Sequence, residues 1–228
     1  MAVATEGFEY KLLIAGEEYL KDRIISLSID RELFSEGFAV GQVCAGVLTA
    51  SIMPKDKAII PRMAEIKVYY QNPGSHNWMP KGIYYIDSRK KSGQRLDLTC
   101  YDKALMLEQR FLPEGAVPDF PMPATTALSR ICTSLDITLD SRTTINSSYA
   151  IEYPEAMTMR EVLGYIGAMH GGNWTFTDTG LLRLVILQPS QPVQTVGTGC
   201  KKAVESGQLT YSRVTMFYTD TEYFTAGD

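Results

Sequence analysis

Residues 157–187 read MTMREVLGYIGAMHGGNWTFTDTGLLRLVIL, the strongest structural signal in the chain. Thr158 followed by Glu161 is a capping box, in which the hydroxyl accepts from the third helical N–H while the carboxylate reaches back. Met157 before the cap and Val162 at the fourth helical position supply a hydrophobic staple. Val162, Leu163, Ile166 and Met169 recur at three- and four-residue spacing, which predicts an amphipathic helix over 159–170. Gly171 and Gly172 offer the left-handed positions that stop it. Two alternating runs follow, 173–177 and 181–186. Asp178-Thr179-Gly180 joins them, so they read as a hairpin with glycine at a bulge position. A helix packed on a hairpin is expected here, with no reactive group standing out.

Working outward, residues 8–101 read as strands. Tyr10, Leu12 and Ile14 alternate, and Ala15-Gly16-Glu17-Glu18 is turn chemistry. Ile25, Leu27 and Ile29 alternate against Ser26, Ser28 and Asp30. Arg31 to Gly46 has no period and reads as a long loop carrying a helical turn. Leu48, Ala50 and Ile52 give a strand stopped by Pro54; 66–70, 83–89 and 96–100 give three more. Such a set of short strands with hairpin-type links predicts an antiparallel barrel or sandwich. At 101–108 the period turns helical. Arg110 to Pro123 holds four prolines and reads as a surface linker. Thr125 or Thr126 then caps a helix with Leu128, Ile131, Cys132 and Leu135 on one face. Residues 136–140 are a short strand candidate, and 141–154 are irregular. Gln188-Pro189-Ser190-Gln191-Pro192 is a second linker, after which 214–218 is a strand candidate. The fold class expected is mainly β with an α+β insertion: a β domain over 1–108, a two-helix α+β domain over 109–188, and the start of another β domain over 189–228.

Composition is that of an ordinary globular protein, 45% hydrophobic and 21% charged. A net charge of −4, with lysine and arginine spread throughout, argues against a nucleic-acid partner, which needs a concentrated basic face. Arg89-Lys90-Lys91 is the one basic run of three, and it reads as a solvated hairpin turn. No apolar run approaches the roughly 18 residues of a membrane span, and the N-terminus lacks the pattern of a signal peptide. Synthesis in a cytoplasm is the corresponding expectation.

Cys44, Cys100, Cys132 and Cys200 form no C-x-x-C pair, so neither a zinc site nor a redox motif is indicated; the first three read as buried free thiols. His170-Gly171-Gly172 resembles an esterase oxyanion loop, but no G-x-S-x-G elbow accompanies it, and the helix-stop reading is preferred. His76 lies in a polar loop. Glu17 with Glu18, Asp136 with Asp140, and Glu152 with Glu155 are the local carboxylate pairs, all at turns or element ends where solvated charge is the ordinary state. Tyr69, Tyr70, Tyr84 and Tyr85 offer a sugar-binding face as the alternative to cross-strand packing. No catalytic, metal or cofactor-binding residue is assigned, and the protein is not expected to be an enzyme. A hydrolase with dispersed carboxylates is the third-ranked reading.

Several segments carry a family resemblance: Val47-Leu48-Thr49-Ala50-Ser51-Ile52-Met53-Pro54, the run from Ile59 to Tyr70, Pro80-Lys81-Gly82-Ile83-Tyr84-Tyr85-Ile86-Asp87, and the junction Leu98-Thr99-Cys100-Tyr101-Asp102. With the helix and hairpin of 157–187 and Tyr211-Ser212-Arg213-Val214, their order resembles the N-terminal part of phage and prophage tail (baseplate) hub proteins. The related tail-associated hubs and the spike-bearing hubs of tail-like secretion systems share this order. The resemblance implies a tube-like antiparallel β-barrel, an inserted α+β domain and the start of a second barrel. It implies a trimer of two barrels per subunit, a place in the virion tail between tube and tip, and other tail proteins as partners. The alternative function is a carbohydrate- or peptidoglycan-binding module of the tail tip. A second barrel needs about a hundred residues by ordinary domain sizes. The sequence therefore reads as a shortened hub, in which the strands of 208–228 pair with a neighbouring copy.

Overall fold

A computed structural model describes residues 9–34, 37, 39–56, 58–72, 75–113, 119–186, 213–217 and 223–227. The first seven strands are β1 (Glu9–Ile14), β2 (Glu17–Tyr19), β3 (Ile24–Asp30), β4 (Val47–Ile52), β5 (Glu65–Gln71), β6 (Met79–Ser92) and β7 (Arg95–Tyr101). They form one antiparallel sheet in the order β2-β1-β5-β6-β7-β4-β3. Strand alternation explains its inner face. Leu12 and Ile14, Leu48, Ala50 and Ile52, Ile66 and Val68, Tyr84 and Ile86, and Leu96, Leu98 and Cys100 are all buried in a single cluster. Among the described residues, every member of that cluster apart from Ile60 and Ala64 comes from the sheet itself. A sheet can bury its own inner face in this way only by rolling up, as strand twist favours. Among the described residues the ladder stays open between the edge strands β2 and β3, which follow one another through a turn closed by Arg23 N–H and Ile24 N–H to the Leu20 carbonyl.

Two local expectations shift by a residue. The β1–β2 turn is only Ala15-Gly16, both at positive φ (50° and 86°), and Glu17 already belongs to β2. In β3 a bulge between Ile24 and Ser26 inserts one extra residue against β4, so Ile24 faces the core and Ile25 faces outward. The basic run Arg89-Lys90-Lys91 lies on the exposed end of β6; the turn itself is Gly93-Gln94, with Gly93 at φ 60°.

The second core begins at Asp102. This residue caps a 3₁₀ turn over Lys103–Glu108, and Ala104 and Leu107 point away from the first core into the second. There they meet α1 (Ala124–Ser134), α2 (Met159–Met169) and the hairpin of β10 (Gly172–Phe176) and β11 (Leu182–Ile186). β8 (Met122–Pro123) pairs with β9 (Ala150–Ile151) beside them. Helix α1 starts earlier than expected. Pro123 occupies the cap position without a side-chain bond, and Thr125 and Thr126 lie on the exposed face inside the helix. The proline-rich segment is more than surface linker, because Phe111 and Leu112 are buried in this core. Residues 136–140 include a parallel bridge from Leu139 to Leu182, which covers the free edge of β11.

The chain divides into compact units after Gln188. In the second unit β12 (Arg213–Phe217) pairs antiparallel with β13 (Tyr223–Gly227). The strand expected at 214–218 is thus present through Phe217; Leu209-Thr210-Tyr211 and Tyr218 lie outside the described residues.

Helix α2 matches its sequence signature closely. The Thr158 hydroxyl accepts from the Glu161 N–H at 3.2 Å, and the Glu161 carboxylate accepts from the Thr158 N–H at 2.7 Å. Val162, Leu163 and Ile166 are buried beneath it. Placing an unpaired charge at Ile166 costs several kcal/mol after relaxation, so Ile166→Asp is expected to abolish soluble folded protein. Thr158→Ala should cost about 1 kcal/mol in denaturant unfolding and leave the fold intact.

Candidate assembly surfaces and the seam between the cores

The segment after β3 forms the seam. Instead of a free loop with a helical turn, residues 41–44 run extended beside β10 as an added strand, with Val43 bridging Trp174 in parallel. Gly41 N–H donates to the Gly172 carbonyl (2.9 Å), Trp174 N–H to the Gln42 carbonyl (2.8 Å) and Cys44 N–H to the Trp174 carbonyl (2.9 Å). Asn173, fully buried, completes the attachment. Its amide nitrogen donates to the carbonyls of Leu33 and Ala39, both at 2.8 Å, while its oxygen accepts from Gln42 N–H at 2.9 Å. The strap also lies against α2. A Cβ on Gly164 would stand 2.7 Å from the Gly41 carbonyl oxygen, and one on Gly41, held at φ 82°, would stand 2.9 Å from the Ala168 Cβ. Only glycine at both positions permits that approach.

Charged groups brace the same seam. Arg160 on α2 donates to the carbonyls of Val43 (2.6 Å) and Ala104 (2.9 Å) and pairs with Glu108. Asp102 accepts from Gly46 N–H (2.6 Å) and Ala104 N–H (3.0 Å), one on each carboxylate oxygen. Burial pushes its carboxyl up to about 6, against the pull of those two N–H groups and of Arg31 and Arg160. Arg31 donates to Tyr84 Oη (3.1 Å) and the Lys81 carbonyl (2.9 Å) on β6, and pairs with Asp178 in the β10–β11 turn.

The residues weighed from sequence do not converge. Tyr84 is inside the first core and Tyr85 on the opposite side of the same strand, bonded to Glu65 at 3.4 Å; burial leads in pushing each phenol up to about 12. Lys11 stands over the rings of Tyr69 and Trp78 (5.4 and 4.8 Å), and Lys81 over Tyr70 (5.8 Å). The four tyrosines therefore form no common platform, and cations occupy the exposed ring faces. Glu17 pairs with Lys55, whose hydrogen bond holds its carboxyl below the usual range, and Glu18 pairs with Lys11. Arg142 grips Asp140 with both side-chain and backbone N–H and holds its carboxyl well below the ordinary carboxylate range. His170 ends α2: Nδ1–H donates to the Ile166 carbonyl (2.7 Å) and Nε2 accepts from Asn146 N–H (2.8 Å). Cys44 and Cys100 are buried and Cys132 half-buried; Cys200 lies outside the described residues. His76 is exposed in its loop. Among the described residues no three His, Cys, Asp or Glu side chains are placed to hold a metal, and no helix is long and apolar enough to cross a membrane.

Exposed apolar groups gather in two places. One is an end of the rolled sheet, where Ile59 (86% exposed) and Met53 line a cleft of about 850 Å³ with Arg89 and Lys91. The other lies on the second core. There Tyr153 and Tyr165 (54% and 55% exposed) flank an apolar cleft of about 350 Å³ between the segment 150–157 and α2.

The fold is shared with solved tail proteins. Among solved structures, the 43 kDa tail protein of prophage MuSo2 from Shewanella oneidensis superposes with a TM-score of 0.56 at 15% identity, over 82% of this chain and 58% of that one. The tail protein from Neisseria meningitidis MC58 gives 0.58 at 15% identity, over 97% and 67%. The chain thus spans between 58% and 67% of the length of these neighbours. No protein-family model and no curated protein sequence matches it. At this identity the likeness is one of fold.

Asn173→Ala leaves one N–H and two carbonyls without their partner and should lower unfolding free energy by about 2–4 kcal/mol. Asn173→Asp should cost more, since its oxygens would face the Leu33 and Ala39 carbonyls; equilibrium denaturation ranks the two. Asp102 has a folded pKa raised above the ordinary value near 4 for the unfolded chain. The folded state therefore binds the proton more tightly, and stability from this group rises as pH falls from about 6 towards 4. Wild type should gain about 1 kcal/mol between pH 7 and pH 5, and Asp102→Asn should lose that gain.

Proposed function

We propose that this chain is a structural component of a phage or prophage tail, the N-terminal part of a hub that links the tail tube to the tail tip. The fold shared with two tail proteins, one of them from a prophage, over 82% and 97% of the chain carries the reading. Two further features support it. A sheet that buries its own inner face leaves its outer face and both ends available for neighbours. The braced seam holds the second core in a set orientation on that sheet, as a connector between neighbouring proteins requires. In the fuller reading the rolled sheet closes into a tube-like barrel in the assembled state. Residues from 189 on begin a second such domain, and three chains build a ring that continues the tube. Partners are other tail proteins rather than nucleic acid or a membrane, assembly takes place in the bacterial cytoplasm, and the chain performs no catalysis of its own. The sugar-binding alternative loses its footing because the four tyrosines do not share a face.

The test is quantitative mass spectrometry of tails purified from an induced lysogen that encodes the protein. The protein should remain on salt-washed tails at three copies per particle, and deletion of its gene should yield no tipped tails. Complete, infectious tails assembled without it would overturn the reading.

A further inference from the structure

We propose that the two apolar patches bind each other in trans, with the Ile59 loop of one copy seated in the tyrosine-flanked cleft of the next. Ile59 is the most exposed large hydrophobic residue described, at 86%. It lies beside the end of the β6–β7 hairpin, where Arg89, Lys90, Lys91 and Arg95 follow one another with no acidic residue between them. Arg89 donates to the Ile60 carbonyl, so the basic strand end is tied directly to the loop. The cleft beside the knob carries a positive excess, Arg23, Lys55, Arg89 and Lys91 against Asp22 and Asp56.

The cleft on the second core has the opposite character. Its walls are Ile151, Pro154, Met157, Val162 and Met169, an apolar floor of about 350 Å³. That space accommodates one branched aliphatic side chain and its neighbours. Glu152 is the only charged residue lining it, and exposed Glu155 stands close by in the same segment. Neither carboxylate has an ion pair or hydrogen bond among the described residues, whereas Glu17, Glu18, Glu65, Glu108 and Glu161 all do. A free acidic rim around an apolar hole on one core thus complements an apolar knob with a basic flank on the other. The knob cannot fill the cleft of its own chain, because it stands in solvent there. A contact between different patches is heterologous, so a bound pair still carries one free knob and one free cleft, and further copies can add until the assembly closes into a ring.

Sedimentation equilibrium of the full chain at low salt tests this. The weight-average mass should rise with concentration, and the dissociation constant should increase with salt. Ile59→Asp and Tyr165→Asp, both on exposed side chains, should each weaken self-association at least tenfold, with far-UV circular dichroism unchanged. Glu152→Lys should do the same and serves independently if Tyr165→Asp fails to fold. The deciding measurement is an equimolar mixture of Ile59→Asp and Tyr165→Asp chains. The first retains an intact cleft and the second an intact knob, so the mixture should form a 1:1 heterodimer and stop there. Wild type that stays monomeric up to its solubility limit, variants that associate like wild type, or a mixture that yields no heterodimer would each overturn the proposal. Binding of these patches to a different tail protein alone would show as the first of those outcomes.

Discussion

The approach of one backbone to another at Gly41 and Gly164 is the constraint on which the seam depends. Bringing a strap within van der Waals contact of a helix buries peptide groups that the helix cannot satisfy, since its own are already paired. The strap's Gly41 and Cys44 N–H groups and Gln42 carbonyl are answered by the β10 backbone, its Gln42 N–H by the Asn173 amide, and its Val43 carbonyl by the Arg160 side chain of the helix. An asparagine suits this position because it offers two donors and an acceptor from one neutral group. Remove either glycine and the strap lifts off the helix; remove the amide and it remains in place with unpaired groups beneath it.

Arg31, Asp102 and Arg160 extend the same logic with charge. Each takes backbone partners: Arg160 the carbonyls of Val43 and Ala104, Asp102 the N–H groups of Gly46 and Ala104, and Arg31 the Lys81 carbonyl beside the Tyr84 and Asp178 side chains. Charge-assisted bonds of this kind are the stronger class, and each of the three residues makes one to a segment far away in sequence. They register the two cores without requiring a large apolar interface between them, which leaves the outer surfaces of both free for other contacts.

How far the sequence could be read follows from how local each signal was. The capping box and the alternation in β4 and β7 are decided within a few residues and stand where expected; of the two glycines after α2 only Gly171 takes the left-handed position, at φ 64°, while Gly172 already opens β10. Ile25 was misplaced because a bulge changes the period without changing composition. No tyrosine face forms, because Tyr84 and Tyr85 are consecutive on a strand and point to opposite sides. Asn173 carried only a faint signal, a polar residue between Gly172 and Trp174, and its partners lie well over a hundred residues earlier. Arg31 and Asp102 sit at strand ends, where charge ordinarily means solvent. The exposed patches around Ile59 and Tyr165 depend on which neighbours are missing, and no local pattern records that.

The placement of the two tryptophans has a practical consequence. Trp174 is fully buried in the second core, its indole N–H donating to the Leu163 carbonyl at 2.6 Å, while Trp78 lies half-buried beneath the Lys11 ammonium beside the first. One chromophore is dry and hydrogen-bonded; the other is wet and close to a cation. Their emission should therefore differ in wavelength and in access to quenchers. Intrinsic fluorescence in this protein is a two-channel signal, one for each core, and any loosening at the seam can be assigned to a side without attaching a label.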